Sequence, residues 1–537
     1  MGVAEGPGLT VEAEDEGGWG PGDDPPPQAV RASARLASMT MPARWRSVPI
    51  GIENRGMLIL VNLSRLAPQG KAAAKTGTGS CPCPRGGERD LHHPRLRQKT
   101  ASSVHAARKD TTVAMHVVVA PNAFKGSFSA AAVAGAMAHG VRRIRPDATI
   151  VELPMADGGD GTMEVLLKAS AHSHIDQITT SGAGLPGISS KGSIGWTDET
   201  TALLEMASVA GIASLAGRLS PLTASSAGLG EAIRIALDNG ATRLIIALGG
   251  SASTDGGTGA LTALGFAFLD PHGNPLPAGG AALIQLAQIL PPRSAVLPAR
   301  LEGAEITLLA DVSIPLLGAN GAASRFGPQK GASPKECTDL DRALSHFARI
   351  TMEYLEAYQG PAPPPIPVRA AGQAHTQEVA QLPEQPGAGA AGGTAFGLAA
   401  FLGAKIVPGA AFCADAIGLS TALLRADYCL TGEGELDPTT AAGKAPFEVG
   451  LRARRHRVPC GAVAGKVSLP PGSTAPASRM ETDAPGHPAP PPSAASCTRA
   501  DLPFAVVRAA ASGEKPASLK DIASTTSQVL LELSGQR

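Results

Sequence analysis

Four stretches of the chain set glycines beside a lysine or a carboxylate directly behind an apolar run. VVVAPNAFKGSFS places Lys125 and Gly126 ahead of a helical pattern, and LPMADGGDGTMEVLL places Asp157 and Asp160 among Gly158, Gly159 and Gly161. IALGGSASTDGGTGALTALG gathers Gly250, Ser251, Ser253, Asp255, Gly256 and Gly257. YCLTGEGELDPTTAAGKAP gathers Gly432, Glu433, Gly434, Glu435, Asp437 and Lys444. Backbone N–H groups at a helix start bind anions where glycine lets the ligand come close. A lysine neutralises transferring phosphoryl oxygens, and carboxylates hold Mg²⁺ or take the proton of an attacking hydroxyl. One such loop is most often only a tight strand-to-helix turn. Four on one chain, each carrying acid or lysine, point to phosphate and metal.

The elements that must hold these loops alternate. His116–Ala120, Thr149–Leu153, Arg243–Leu248, Glu305–Asp311, Asp427–Leu430 and Pro459–Ala464 read as strands. Ser129–Arg143, Gly228–Asn239 (closed by Gly240), Gly257–Leu264, Pro334–Ala357 (begun by Ser333), Gly392–Leu402, Lys444–Arg454 and Leu519–Leu533 read as helices. Alternation of this kind predicts an α/β fold with a largely parallel sheet. Ligands then gather at the carboxyl ends of the strands.

Composition bounds the rest. The chain has 537 residues, long enough for more than one domain, and a 43% apolar content allows most of it to be globular. Its formal net charge of zero removes any general case for a nucleic-acid or membrane-surface partner. No apolar run reaches the 18 residues of a membrane span. The seven cysteines are scattered, and Cys81 and Cys83 lack a second pair for a zinc site, so reduced thiols in a reducing compartment are expected. Residues 1–114 bury too little to offset chain entropy and read as a disordered or spurious extension. A Pro-rich linker over 359–386 and a disordered insertion over 469–500 interrupt the remainder. No GxxxxGK[ST] occurs, and the GxGxxG at Gly387–Gly392 follows a Pro-rich connection rather than a strand, which argues against a dinucleotide fingerprint.

In order, APNAFKGSFSA, ADGGDGT, LEMASVAGI, GGSASTDGGTGAL, ADVSIPLLGANGAASRFGPQKGAS, GAGAAGG and LTGEGELDPTTAAGKAP resemble the type-1, bacterial-type glycerate kinases over about residues 115–468, and again over the C-terminal helix. FGPQKGAS and TGEG-x-x-D are the most specific of these. The resemblance implies ATP- and Mg²⁺-dependent phosphorylation of D-glycerate, generally to 2-phosphoglycerate. It also implies two α/β domains with the site in the cleft between them. A Rossmann-like domain would comprise 115–178 and 395–537, with an α/β domain inserted over 179–394. A cytoplasmic enzyme is expected, with an organelle left open. A kinase for a related small hydroxy acid and a catalytically weak glycerate- or nucleotide-binding protein stand as alternatives.

On that resemblance, Lys125, Asp157 and Asp255 are the catalytic candidates. Gly158, Gly159, Gly250, Ser251, Ser253, Gly256, Gly257, Arg325, Gln329, Lys330 and Lys444 are expected to meet substrate or phosphate. Gly432, Glu433 and Gly434 are expected to meet the nucleotide, and Asp311 and Asp437 the metal. Asp311 stands out physically, since it follows the apolar strand EITLLA, where an unpaired carboxylate is costly. Three departures from the family pattern accompany these residues. PDSFKG becomes Pro121-Asn122-Ala123-Phe124-Lys125-Gly126, which removes a carboxylate and a hydroxyl. Glu435 adds negative charge in TGEG-x-x-D, and Lys466 replaces a serine in AGS-V.

Overall fold

The structure, a computed structural model, describes residues 50–54, 57–61, 114–185, 189–293, 299–301, 303–357, 380–469, 502–511 and 516–535. Two compact units divide the chain, 1–107 and 108–537. In the first, the described residues form an antiparallel hairpin of β1 (Ile50–Asn54) and β2 (Met57–Val61), which the reading of 1–114 as an unstructured extension did not anticipate. The rest of that extension, Cys81, Cys83 and Cys497, most of the 359–386 linker and all but Leu469 of the 469–500 insertion lie outside the described residues.

The second unit begins with β3 (His116–Val119), whose three valines are buried on both faces, as a central parallel strand requires. The Ser129 hydroxyl caps the start of α1 (Ala130–Ile144), accepting from the Ala132 N–H at 3.3 Å. Then follow β4 (Thr149–Glu152), α2 (Thr162–Ala169), β5 (His174–Thr180), β6 (Ser190–Trp196) and β7 (Thr201–Glu205). Next come α3 (Ala227–Asp238), β8 (Arg243–Ala247), α4 (Thr258–Ala263), and the short antiparallel pair β9 (Ala267–Leu269) and β10 (Gln288–Leu290). β11 (Glu305–Ala310), α5 (Pro334–Ala357), α6 (Thr394–Leu402), β12 (Lys405–Pro408) and α7 (Gly409–Ala416) complete the middle of the chain. The last part is β13 (Tyr428–Leu436), α8 (Ala445–Arg455), β14 (Cys460–Val467), β15 (Val506–Ala509) and α9 (Leu519–Gly535). α5 opens with a reciprocal capping box between Ser333 and Glu336.

These strands make two main sheets. One is five-stranded and parallel throughout, in the order β15-β14-β13-β3-β4. The chain's direction of progress across it reverses between β3 and β13, the place where open α/β sheets form a ligand crevice. The other is six-stranded, in the order β12-β11-β8-β7-β6-β5, parallel from β12 to β7 and antiparallel beyond. The mixed α/β class therefore agrees with the sequence. A boundary at 395 does not match the sheets: α6 and β12 belong with the middle of the chain. β12 pairs with β11, and Phe396 and Phe401 of α6 enter the core under the six-stranded sheet.

That core concentrates a scarce resource, since only 3% of the chain is aromatic. The Phe347 ring of α5 meets Phe396 at 5.7 Å, Phe268 at 6.1 Å and Phe401 at 6.3 Å between centroids. Edge-to-face and stacked pairs of this kind add to the burial of each ring. Phe347→Ala leaves a cavity at the centre of this cluster. It should lower the unfolding free energy by about 3–5 kcal/mol, read from urea denaturation followed by circular dichroism.

Candidate active site

Loops from both sheets meet at the carboxyl ends of β3, β4, β11 and β13. After β4 the chain turns through Asp157-Gly158-Gly159 and lies directly on the ends of β8 and β11. The Gly249 N–H donates to the Gly158 carbonyl at 3.0 Å. A Cβ on Gly249 would fall 2.5 Å from Gly159 Cα and 2.9 Å from Asp311 Oδ2, so only glycine permits this approach.

Over Gly159 three functional groups converge. The Cβ position that this residue leaves empty lies 3.3 Å from Asp157 Oδ1, 3.8 Å from Lys125 Nζ and 4.0 Å from Asp311 Oδ2. The second Asp157 oxygen is already engaged: Asn122 Nδ2 donates to Oδ2 at 3.0 Å, while Asn122 Oδ1 accepts from the Ala123 N–H at 2.8 Å. The substituted Asn122 is therefore a donor that leaves Asp157 with Oδ1 facing the crevice. Behind these groups, Glu433 is buried and accepts from the Thr440 hydroxyl at 2.7 Å. β13 at Gly434 passes close to Lys125, with a Cβ there 3.5 Å from the Lys125 backbone nitrogen.

Crowded carboxylates govern the electrostatics. Asp157 above all, followed by Asp311, Glu433 and Asp160, raises the pKa of Lys125 against the opposing effect of burial. Burial and then Asp157 push Asp311 up to about 6, against Lys125. Burial pushes Glu433 up to about 7, with Lys444 and the Thr440 hydrogen bond opposing and Asp157 and Asp437 adding to it. Asp311 and Glu433 thus resist ionisation, and a divalent cation nearby would relieve that resistance. Among the described residues no three His, Cys, Asp or Glu side chains form a metal cage. Mg²⁺ can be held by one or two carboxylates plus phosphate oxygens, and Asp311 is the carboxylate in the cluster placed for such a role. Asp437 does not point there: its Oδ1 accepts from the N–H groups of Thr439 (2.8 Å) and Thr440 (3.1 Å) and pairs with Lys444 Nζ at 3.5 Å.

A second crevice, continuous through Asp311, is lined by Gly249, Gly250, Ser251, Gln329 and Lys330. Lys330 is 3% exposed, and its ammonium donates to the Ser251 hydroxyl at 2.9 Å and to the Ser253 carbonyl. Burial lowers its pKa to about 8, with Asp255 and Asp311 acting in the opposite direction. Gln329 and Arg325 are exposed.

The later half of the GGSASTDGG loop lies elsewhere than expected. Ser253 and Asp255 are fully buried. Asp255 Oδ2 accepts from the Ser226 N–H (2.7 Å), the Ser226 hydroxyl (2.9 Å) and the Gly259 N–H (3.1 Å), and Oδ1 accepts from the Gly257 N–H (3.2 Å). Asp255 thus caps α4 and ties it to α3, and no oxygen of it faces the crevice. The Gly256 amide donates to the Gly392 carbonyl at 3.1 Å, and a Cβ on Gly392 would strike the Ser253 carbonyl. The GxGxxG segment therefore packs against this loop. Gly432 lies inside β13 against Val463 of β14.

Two charge changes compensate each other. Glu435 and Lys466 are register partners on β13 and β14, and their side chains form an ion pair at 3.2 Å. A hydrogen bond from Ser468, then Lys466, holds Glu435 below its ordinary range. Sequence reasoning missed Glu205. Its signal was available: a carboxylate closing the apolar strand TALLE, the same cue that singled out Asp311 after EITLLA.

A family model described as the glycerate kinase family matches residues 117–482. The glycerate 2-kinase of Escherichia coli K12 is 37% identical over 355 residues, 66% of this chain and 86% of that protein. The glycerate kinase of Bacillus subtilis 168 is 36% identical over 355 residues, with the same coverage of both chains. A solved structure described as a glycerate kinase 2 from Salmonella typhimurium LT2 superposes with a TM-score of 0.58. It is 31% identical and covers 79% of this chain and 99% of that one.

Asp255→Asn puts an amide against buried donors and should lower the unfolding free energy by about 2–4 kcal/mol in urea titration. Gln329→Ala, on the surface, should change it by less than about 0.5 kcal/mol. Because the folded pKa of Glu433 is raised, the native state binds the extra proton, and the contribution of Glu433 to stability falls as pH rises from about 4.5 to about 7. Glu433→Gln lacks this penalty. Without nucleotide or divalent cation, its stability relative to wild type should increase across that window by up to about 3 kcal/mol.

Proposed function

The chain belongs to the glycerate kinase family, and we propose that it transfers the γ-phosphoryl group of ATP to D-glycerate, giving 2-phosphoglycerate, at the cluster around Gly159. The observation that carries this reading is the convergence of Asp157 Oδ1, Lys125 Nζ and Asp311 Oδ2 within 4.0 Å of one point at the meeting of two sheets. We read those sheets as the two domains of the enzyme, with the substrates between them.

Asp157 Oδ1, the oxygen that Asn122 leaves open, takes the proton of the glycerate 2-hydroxyl as that oxygen bonds to the γ-phosphorus. The bond from phosphorus to the bridging oxygen breaks, and ADP leaves with the electron pair. Lys125 neutralises the transferring phosphoryl oxygens. Lys330, Ser251 and Gln329 receive the glycerate carboxylate in the adjoining crevice. Lys444 and the Glu433–Gly434 stretch of β13 face the nucleotide phosphates. Asp311 would hold Mg²⁺, which would supply charge stabilisation to the phosphates. No helix of the described residues is long and apolar enough to cross a membrane.

With Mg-ATP, the full chain should release ADP only when D-glycerate is present, and NMR of the product should show the 2-phosphate. Asp157→Asn and Lys125→Met should each lower kcat by at least about 100-fold in protein that still folds cooperatively. ADP release independent of glycerate, or full activity in Asp157→Asn, overturns the reading.

A further inference from the structure

The N-terminal end of α2 directly follows Asp157 and Asp160, and a glycine-rich helix start of this kind is a ready site for a phosphate. Here the protein fills it. Glu205, the last residue of β7, is buried, and its Oε1 accepts from the Met163 N–H at 2.8 Å. Burial raises the pKa of this carboxylate, and the nearby N–H groups of Gly161 and Thr162, like that of Met163, favour its charged form. It therefore engages a free amide of the helix's first turn, where a negative charge also complements the helix dipole.

The same loop is held at every other step. Asn122 grips Asp157 Oδ2 at 3.0 Å, Gly249 grips the Gly158 carbonyl at 3.0 Å, and the Thr162 hydroxyl donates to the Gly159 carbonyl at 2.6 Å. Glu205 supplies the remaining hold, and it does so from the six-stranded sheet, across from the sheet that carries β4.

We propose that Glu205 is a positioning residue for the Asp157 loop: its carboxylate occupies the amide pocket at the start of α2, so that the loop presents Asp157 to the substrates and leaves no anion site of its own. The catalytic consequence rests on the kinase reading above. The structural one does not.

The test uses the full chain with Glu205→Ala and the near-isosteric Glu205→Gln. In Glu205→Ala, hydrogen exchange at the amides of residues 161–163 should accelerate. The value of kcat should fall about 10- to 100-fold, as expected for misplacement of a reacting group, with KM for ATP within about twofold. Added acetate, a carboxylate small enough for the vacated space, should restore several-fold of the lost kcat and slow the exchange again. It should do nothing for wild type. Glu205→Gln leaves no space for acetate, so it is read by exchange and kcat alone and serves if the alanine variant fails to fold. Exchange and kcat both unchanged in either variant, or a loss in Glu205→Ala that acetate leaves untouched in either readout, overturn the proposal. If wild type shows no glycerate-dependent turnover, the kinase reading fails, and exchange alone still decides whether Glu205 holds the loop.

Discussion

The contact on which this site depends is the backbone approach of Asp157-Gly158-Gly159 to Gly249 and Asp311. It brings the carboxyl end of a strand in one sheet onto the carboxyl ends of two strands in the other. A single Cβ at Gly249 would separate them. Everything placed over Gly159 follows from that seam: Lys125 arrives on the loop after β3, Asp311 at the end of β11, and Glu433 within β13. No one of these loops carries the chemistry alone.

Closeness has an electrostatic cost. Asp157, Asp160, Asp311 and Glu433 surround Lys125, and burial penalises the ionisation of Asp311 and Glu433. Such an arrangement is poorly balanced by the protein itself and well balanced by a divalent cation carried with nucleotide phosphates. The changes at Asn122, Glu435 and Lys466 fit this account. Asn122 removes one more negative charge from the most crowded point and donates to Asp157. The charge added by Glu435 is matched by Lys466 on the neighbouring strand, at the surface, where such a pair adds little stability.

Much of the fold was readable because long amphipathic helices and short apolar strands announce themselves by periodicity. β3, β8, β11, α1, α5 and α9 all lie within a residue or two of where the pattern puts them. β5 and β6 went unread, because HIDQITT and SKGSIGW mix polar residues and glycine on strands at or near a sheet edge, where one face meets water. β12 is four residues long and was invisible for the same reason that its sheet membership was: pairing with β11 is a long-range event.

The sequence by itself determined the α/β class, the family, and which loops carry acids and lysines behind strands. These are local properties, set by spacing and residue type. It could not rank the acids. ADGGDG and TDGGTG are nearly the same signal, an aspartate and two glycines before a helix, yet Asp157 turns an oxygen to the crevice and Asp255 is sealed among Ser226, Gly257 and Gly259. What separates them is the neighbour each loop meets. The Asp157 loop lands on the strand ends of another sheet, whereas the Asp255 loop closes onto α3 within its own. Only the tertiary structure decides that, because the partners lie far apart in the chain.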